Sequence, residues 1–285
     1  MKNRILILFP CILLCTCLPE PLLEKIYPSD IVISGEGTLK FIKTFWDAPH
    51  DKHNKRGTRI EDAKLIDNVI WILDNTKDIG TTLYKGINKS ASVKLRHSNE
   101  LRFRYWIASG ILHKGNFFIF RVSDRLKEYN IAKVDKTTLK CQYIRVLDDY
   151  YDNLPTFYND SKNIFIHFDA APLSYYKINE NCDDFIQITK QEFNDLYTPP
   201  PDFVTDDKGR YYRFYTGYPS LSESGYIEVS LDNGDTWHYG DMGTNRPVNI
   251  IIQNDSVYVF CDRYSAGSAL SYETGGGGIH EFKWQ

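Results

Sequence analysis

His50 and His53 stand three apart in Pro49-His50-Asp51-Lys52-His53-Asn54-Lys55, a spacing that can hold a divalent metal. The stretch is polar and basic and no third ligand follows at a suitable spacing, so a solvated loop is the plainer reading and no metal site is expected. His167 lies in the apolar run Ile164-Phe165-Ile166-His167 and reads as a core or edge histidine of a strand. Gly275-Gly276-Gly277-Gly278 lacks the Lys and Ser/Thr of a phosphate loop, which leaves a flexible turn. No G-x-S-x-G elbow and no Cys/His pair at a telling spacing occurs. The residues therefore offer no catalytic set and call for no cofactor, and the expectation is a protein that is not an enzyme. The richest exposed candidate is Asp148, Asp149, Tyr150, Tyr151 and Asp152, followed by Asn153-Leu154-Pro155. Tyrosines suit a protein interface and carboxylates steer a basic partner, although a solvated linker has the same composition.

A repeat must position these residues. Runs of apolar and aromatic residues, each introduced by a polar turn, start at Val69, Phe117, Ile164, Tyr211 and Val257. The steps are about 48, 47, 47 and 46 residues, within the range of four-stranded propeller blades. Five copies predict an all-β fold, a five-bladed β-propeller over residues 30–285. The runs are nearly continuous, as in strands covered on both faces, and are expected to be the innermost strand of each blade. Val134 to Leu139, Ile178 to Phe185 and Val229 to Trp237 read as strand, polar turn, strand. The chain stops one strand short of a last blade after Ile279-His280-Glu281-Phe282-Lys283-Trp284, so an N-terminal strand is expected to close the ring and remove the open edge.

Ser230-Leu231-Asp232-Asn233-Gly234-Asp235-Thr236-Trp237 resembles the Asp-box of sialidases and other propellers, S-x-D-x-G-x-T-W. Ser230, Asp232, Gly234, Thr236 and Trp237 would form a hairpin tip, with Asp232 accepting backbone N–H groups, Gly234 at positive φ and Trp237 packed into the blade. A sialidase would also need an arginine cluster, a Tyr and Glu pair and an acidic proton donor. Arg59-Ile60-Glu61 is the nearest approach to the Arg-Ile-Pro segment of that family and lacks its proline.

Residues 1–16 combine Lys2 and Arg4 with the apolar run Ile5 to Leu14, a signal-peptide pattern too short to remain as a membrane span. Leu14-Cys15-Thr16-Cys17 resembles a bacterial lipobox, which implies cleavage before Cys17, lipidation of its thiol and a tether over residues 17–29. Leu18 in place of Asp implies an outer-membrane anchor facing the periplasm; a plain secretory signal is the alternative. The chain has 34 Lys and Arg against 37 Asp and Glu, a formal charge of −3, which makes no electrostatic case for nucleic acid. Beyond Cys17 only Cys141, Cys182 and Cys261 remain. Cys141 and Cys182 could pair in an oxidising periplasm, whereas Cys261 reads as a small buried residue of an inner strand.

The Cys17 head, the aromatic repeats from Val69 onward and the tail from Gly275 to Trp284 resemble the lipoprotein immunity proteins that protect bacteria from phospholipase effectors of the type VI secretion system. The resemblance implies stoichiometric binding and inhibition of a cognate secreted phospholipase, and it supplies no catalytic residues. A glycan- or peptide-binding propeller lipoprotein and a glycoside hydrolase of sialidase type are the two rival readings.

Overall fold

The structure is a computed structural model. It describes residues 27–33, 36–46, 60–76, 80–95, 110–123, 128–147, 156–160, 162–168, 173–215, 225–243, 245–262, 265–266, 273–274 and 277–285. Cys17, His50, His53 and residues 148–152 lie outside these.

In chain order the elements begin with β1 (Ile31–Ile33) and β2 (Gly37–Phe45). The first full sheet is β3 (Ile60–Ile66), β4 (Val69–Thr76), β5 (Gly80–Lys85) and β6 (Ala91–Lys94). The second is β7 (Gly110–His113), β8 (Asn116–Ser123), β9 (Glu128–Asp135) and β10 (Cys141–Leu147). The third is β11 (Thr156–Asn159), β12 (Ile164–Phe168), β13 (Ser174–Ile178) and β14 (Phe185–Ile188), followed by the helix α1 (Lys190–Leu196). The fourth is β15 (Val204–Thr205), β16 (Tyr211–Tyr215), β17 (Tyr226–Ser230) and β18 (His238–Asp241). The fifth joins β19 (Arg246–Gln253) and β20 (Ser256–Asp262) to the chain ends, and a ribbon of β21 (Ser265–Ala266) and β22 (Glu273–Thr274) precedes β23 (Gly278–Trp284). The order in the fifth sheet is β1-β2-β23-β20-β19, so both N-terminal strands complete the sheet that the C-terminal strand belongs to. All the strand pairs described are antiparallel, in up-and-down meanders, and the fold is a β-propeller.

The repeated runs occupy β4, β8, β12, β16 and β20, which are the second strands of their sheets. This corrects the expectation that they are innermost. The first strands take that place: β3 lies against β19 and β7, and β15 lies against β19. β4, β8 and β20 are covered by a neighbouring sheet on each face, which explains their unbroken apolar runs. Some of the first strands are short, as in β11 (Thr-Phe-Tyr-Asn) and β15 (Val-Thr).

Four seams between neighbouring sheets are filled by buried clusters. Trp71 and Leu73 meet Phe117 and Ile119 between the first and second sheets. Phe118 and Ile131 meet Ile164 and Ile166 between the second and third. Tyr212 and Val229 meet Val257 and Phe282 between the fourth and fifth, and Ile60 and Ile72 meet Ile251 and Phe260 between the fifth and first. On the third sheet, the face turned away from the second carries α1 instead: Phe193 packs on Phe165 and Tyr175, with Tyr158 and Tyr197 at the margin. The helix starts at a capping box, Thr189 accepting the N–H of Glu192 while the Glu192 carboxylate accepts the N–H of Thr189.

Candidate functional site

Two β-bulges sit side by side on the innermost strands. In β3 the register shifts between Ile60, opposite Asp74, and Asp62, opposite Leu73; in β19 it shifts between Pro247 and Asn249. A bulge rotates the side chains beyond it, and these two let the seam be bridged by polar groups. Asn249 Nδ2 donates to Asp62 Oδ1 at 2.9 Å and to the Ala63 carbonyl at 2.6 Å. Asp62 Oδ1 also accepts the Ala63 N–H at 2.7 Å, and Lys64 Nζ stands 3.7 Å from Asp62 Oδ2.

Two buried carboxyl groups lie on the walls of the same seam. Side chains alternate along a strand, so Asp74 shares a face with Ile70 and Ile72, and Asp262 shares one with Tyr258 and Phe260. Those apolar residues belong to the single cluster that joins the first and fifth sheets, so the carboxyls of Asp74 and Asp262 are directed at each other's sheet. Asp74 stands two residues before the end of β4 and Asp262 ends β20, at the end where the chain passes from sheet to sheet, and they are only 5% and 8% exposed. Burial, and then the negative charge of Asp74, push the Tyr84 phenol above its ordinary pKa. Arg246 is opposite Asp262 in the ladder, and its buried Nε meets no acceptor among the described residues. Carboxyl groups held out of water beside a donor can serve as acid, base or ligand for substrate hydroxyls. Among the described residues no group of three His, Cys, Asp or Glu side chains could hold a metal ion.

The Asp-box lies at the opposite end of the strands, and its hydrogen bonds are those of a hairpin clasp. Ser230 Oγ donates to Asp232 Oδ1 at 2.7 Å and accepts the Gly234 N–H at 2.8 Å. Asp232 accepts the Thr236 hydroxyl at 2.6 Å and the Thr236 N–H at 2.8 Å. Those bonds, led by the Thr236 hydroxyl, hold the Asp232 carboxyl down at a pKa of about 2. Gly234 has φ +96° and Trp237 lies 3.8 Å beneath the Arg213 guanidinium. Asp135, Asp160 and Asp206 close other turns of this end by accepting backbone N–H groups in the same manner. The box is one instance of a general turn chemistry and brings no reactive group to a cleft.

His167 is buried and stacks on Tyr175 at 4.2 Å, a packing role. Cys182 is buried and Cys141 half-buried, both as thiols outside any disulfide, and Cys261 lies on a second strand rather than an inner one. Among the described residues no helix is long and apolar enough to cross a membrane. Asp62, Asp74, Arg246, Asn249 and Asp262 escaped the reading of the sequence. One signal was available: Asp74 and Asp262 each follow the first residue of a repeated run by about five positions, and Asp169, outside the described residues, does so in the third copy.

No protein-family model matches this chain, and no curated protein is similar to it. Solved structures are. CoXyl43, a GH43 β-xylosidase/α-arabinofuranosidase from a compost microbial metagenome, is 11% identical with a TM-score of 0.42, over 84% of this chain and 94% of that one. A GH43_1 enzyme from Xanthomonas citri is 11% identical with a TM-score of 0.42, over 82% and 89%. The GH43 protein BlXynB from Bacillus licheniformis is 12% identical with a TM-score of 0.40, over 83% of this chain and 57% of that one. These proteins are glycoside hydrolases, and the expectation that the chain is not an enzyme is withdrawn.

Proposed function

We propose that this chain acts on glycans and cleaves glycosidic bonds at the seam of the first and fifth sheets. The observation that carries the reading is the pair of buried carboxyls, Asp74 and Asp262, on facing walls of one inner seam beside the Arg246 guanidinium. Glycosidic cleavage needs two carboxyl groups, one to protonate the leaving oxygen and one to act as base or nucleophile. Arg246 and Asn249 supply donors for sugar hydroxyls, and Asp62 holds Asn249 in place. Inhibition of a phospholipase draws no support from the described residues, since the segment 148–152 that would carry it lies outside them.

Incubation with a panel of aryl glycosides tests the proposal. Wild type should release the aglycone, and Asp74→Asn and Asp262→Asn should each lower kcat by ~10²-fold or more with the fold intact by circular dichroism. Turnover that survives both substitutions, or no turnover on any glycoside, sinks it. Envelope location is part of the same proposal, because a polymeric glycan is met outside the cytoplasm. Cys17→Ser should release the protein from membranes, as read by fractionation, and a wild-type N-terminal peptide without lipid argues against the anchor.

A further inference from the structure

The fourth sheet buries one face against the fifth, through Tyr212, Ile227 and Val229, and turns the other toward the third sheet. The residues of that second face follow from the registers: Arg213 is opposite Glu228 and Glu228 opposite Tyr239, while Tyr215 is opposite Tyr226. Tyr239 is 75% exposed and Tyr215 39% exposed. Tyr215 and Tyr226 stack at 5.0 Å and 22°, and Tyr239 meets Tyr226 edge-on at 6.4 Å, so three rings from three adjacent strands form a row across the sheet. Among the described residues no buried cluster covers this row from the third sheet, whose own face carries α1.

We propose that this tyrosine row binds an uncharged polysaccharide chain, as a site separate from the carboxyl pair. The proposal rests on the glycan reading above and adds where the polymer lies. Charge selects the occupant. Arg213 and Glu228 are joined at 2.5 Å and the guanidinium is further held over Trp237, so the one cation placed on this face among the described residues is committed, while Asp241, which accepts the Gly243 N–H at 2.7 Å, keeps its negative charge and disfavours an anionic chain. What the face offers is the exposed ring of Tyr239 and, beside it, the edges and phenol hydroxyls of the stacked Tyr215 and Tyr226. A pyranose presents the complement, one side rich in C–H groups and a rim of hydroxyls, and the three rings follow one another across the sheet with centroids 5.0 and 6.4 Å apart.

Titration calorimetry with xylohexaose, cellohexaose and a galacturonic acid hexamer tests this, using Asp262→Asn protein so that hydrolysis is slowed. One of the two neutral hexamers should bind, Tyr239→Ala should weaken it by about tenfold or more, and Tyr239→Phe should keep most of the affinity. The charged hexamer should bind more weakly than the neutral one. In the otherwise wild-type chain, Tyr239→Ala should leave turnover of a short aryl glycoside unchanged. Failure of both neutral hexamers to bind, indifference to Tyr239→Ala, equal loss with Tyr239→Phe, or preference for the charged hexamer overturns the proposal. Hexamer binding that is lost on Tyr239→Ala in a chain that shows no turnover at all would uphold the tyrosine row while removing the carboxyl pair as a catalytic site.

Discussion

Asp232 commits both carboxylate oxygens to the chain around it, through Ser230 and Thr236, and its pKa of about 2 records that commitment. A carboxyl whose pKa falls from 3.8 on folding favours the native state above about pH 4, and the contribution is lost as pH drops toward 2. Urea unfolding followed from pH 7 to pH 2 should therefore show wild type losing stability below pH 4, and Asp232→Asn, already lacking that contribution, losing less over the same span. Parallel pH profiles for the two proteins would contradict the clasp. Asp232 was legible because it sits inside a local turn pattern, where residues two to four apart make the contacts. Asp74 and Asp262 were not, because what makes them notable is the seam between sheets, and Ile60, Phe260 and the rest of that seam come from opposite ends of the chain. Their regular placement at the end of repeated runs is the trace that sequence does carry.

The elements most visible in sequence were the second strands, since a strand wedged between two sheets must be apolar on both faces. For the same reason they were misplaced: continuous burial reads equally well as an innermost position. Sequence hid the true first strands, because Gly110–His113, Thr156–Asn159 and Val204–Thr205 are too short or too polar to stand out. Helix α1 was overlooked although Thr189-Lys190-Gln191-Glu192 spells a capping box, because the propeller repeat leaves no place for a helix at that point. The helix is seven residues long and Phe193 is its one buried side chain, so its stability depends on the cap and on the stack of Phe193 against Tyr158, Phe165 and Tyr175. Thr189→Ala removes the cap without touching that stack. It should cost about 0.5–2 kcal/mol in urea unfolding at unchanged m-value, whereas Thr189→Ser should cost little. Equal loss for the two would mean that the methyl contact, rather than the hydroxyl, holds the helix start.

Across the whole molecule, the four seams with buried clusters are also pinned by polar groups near the turns or bulges of their strands. Lys136 pairs with Asp67 between the first and second sheets, and Lys133 Nζ donates to the Cys182 carbonyl at 2.7 Å between the second and third. Trp284 Nε1 donates to the Tyr212 hydroxyl at 2.8 Å between the fourth and fifth. Gln253 Nε2 reaches the Asn68 carbonyl at 2.7 Å between the fifth and first. Among the described residues the third and fourth sheets share neither a buried cluster nor such a link, and the connection between them runs through α1 and the three prolines Pro199, Pro200 and Pro201. A propeller opens first where the fewest apolar contacts are lost, so among the described residues the lowest sub-global opening is expected at that seam. Native-state hydrogen exchange followed by mass spectrometry should show amides of α1 and β15 exchanging ahead of those of β3, β20 and β23. Guanidinium at concentrations well below the unfolding midpoint should widen the difference, because an opening that exposes new surface grows with denaturant. Exchange of all these segments at one common rate would show instead that the propeller opens only as a whole, and that α1 seals its seam as firmly as a packed sheet would.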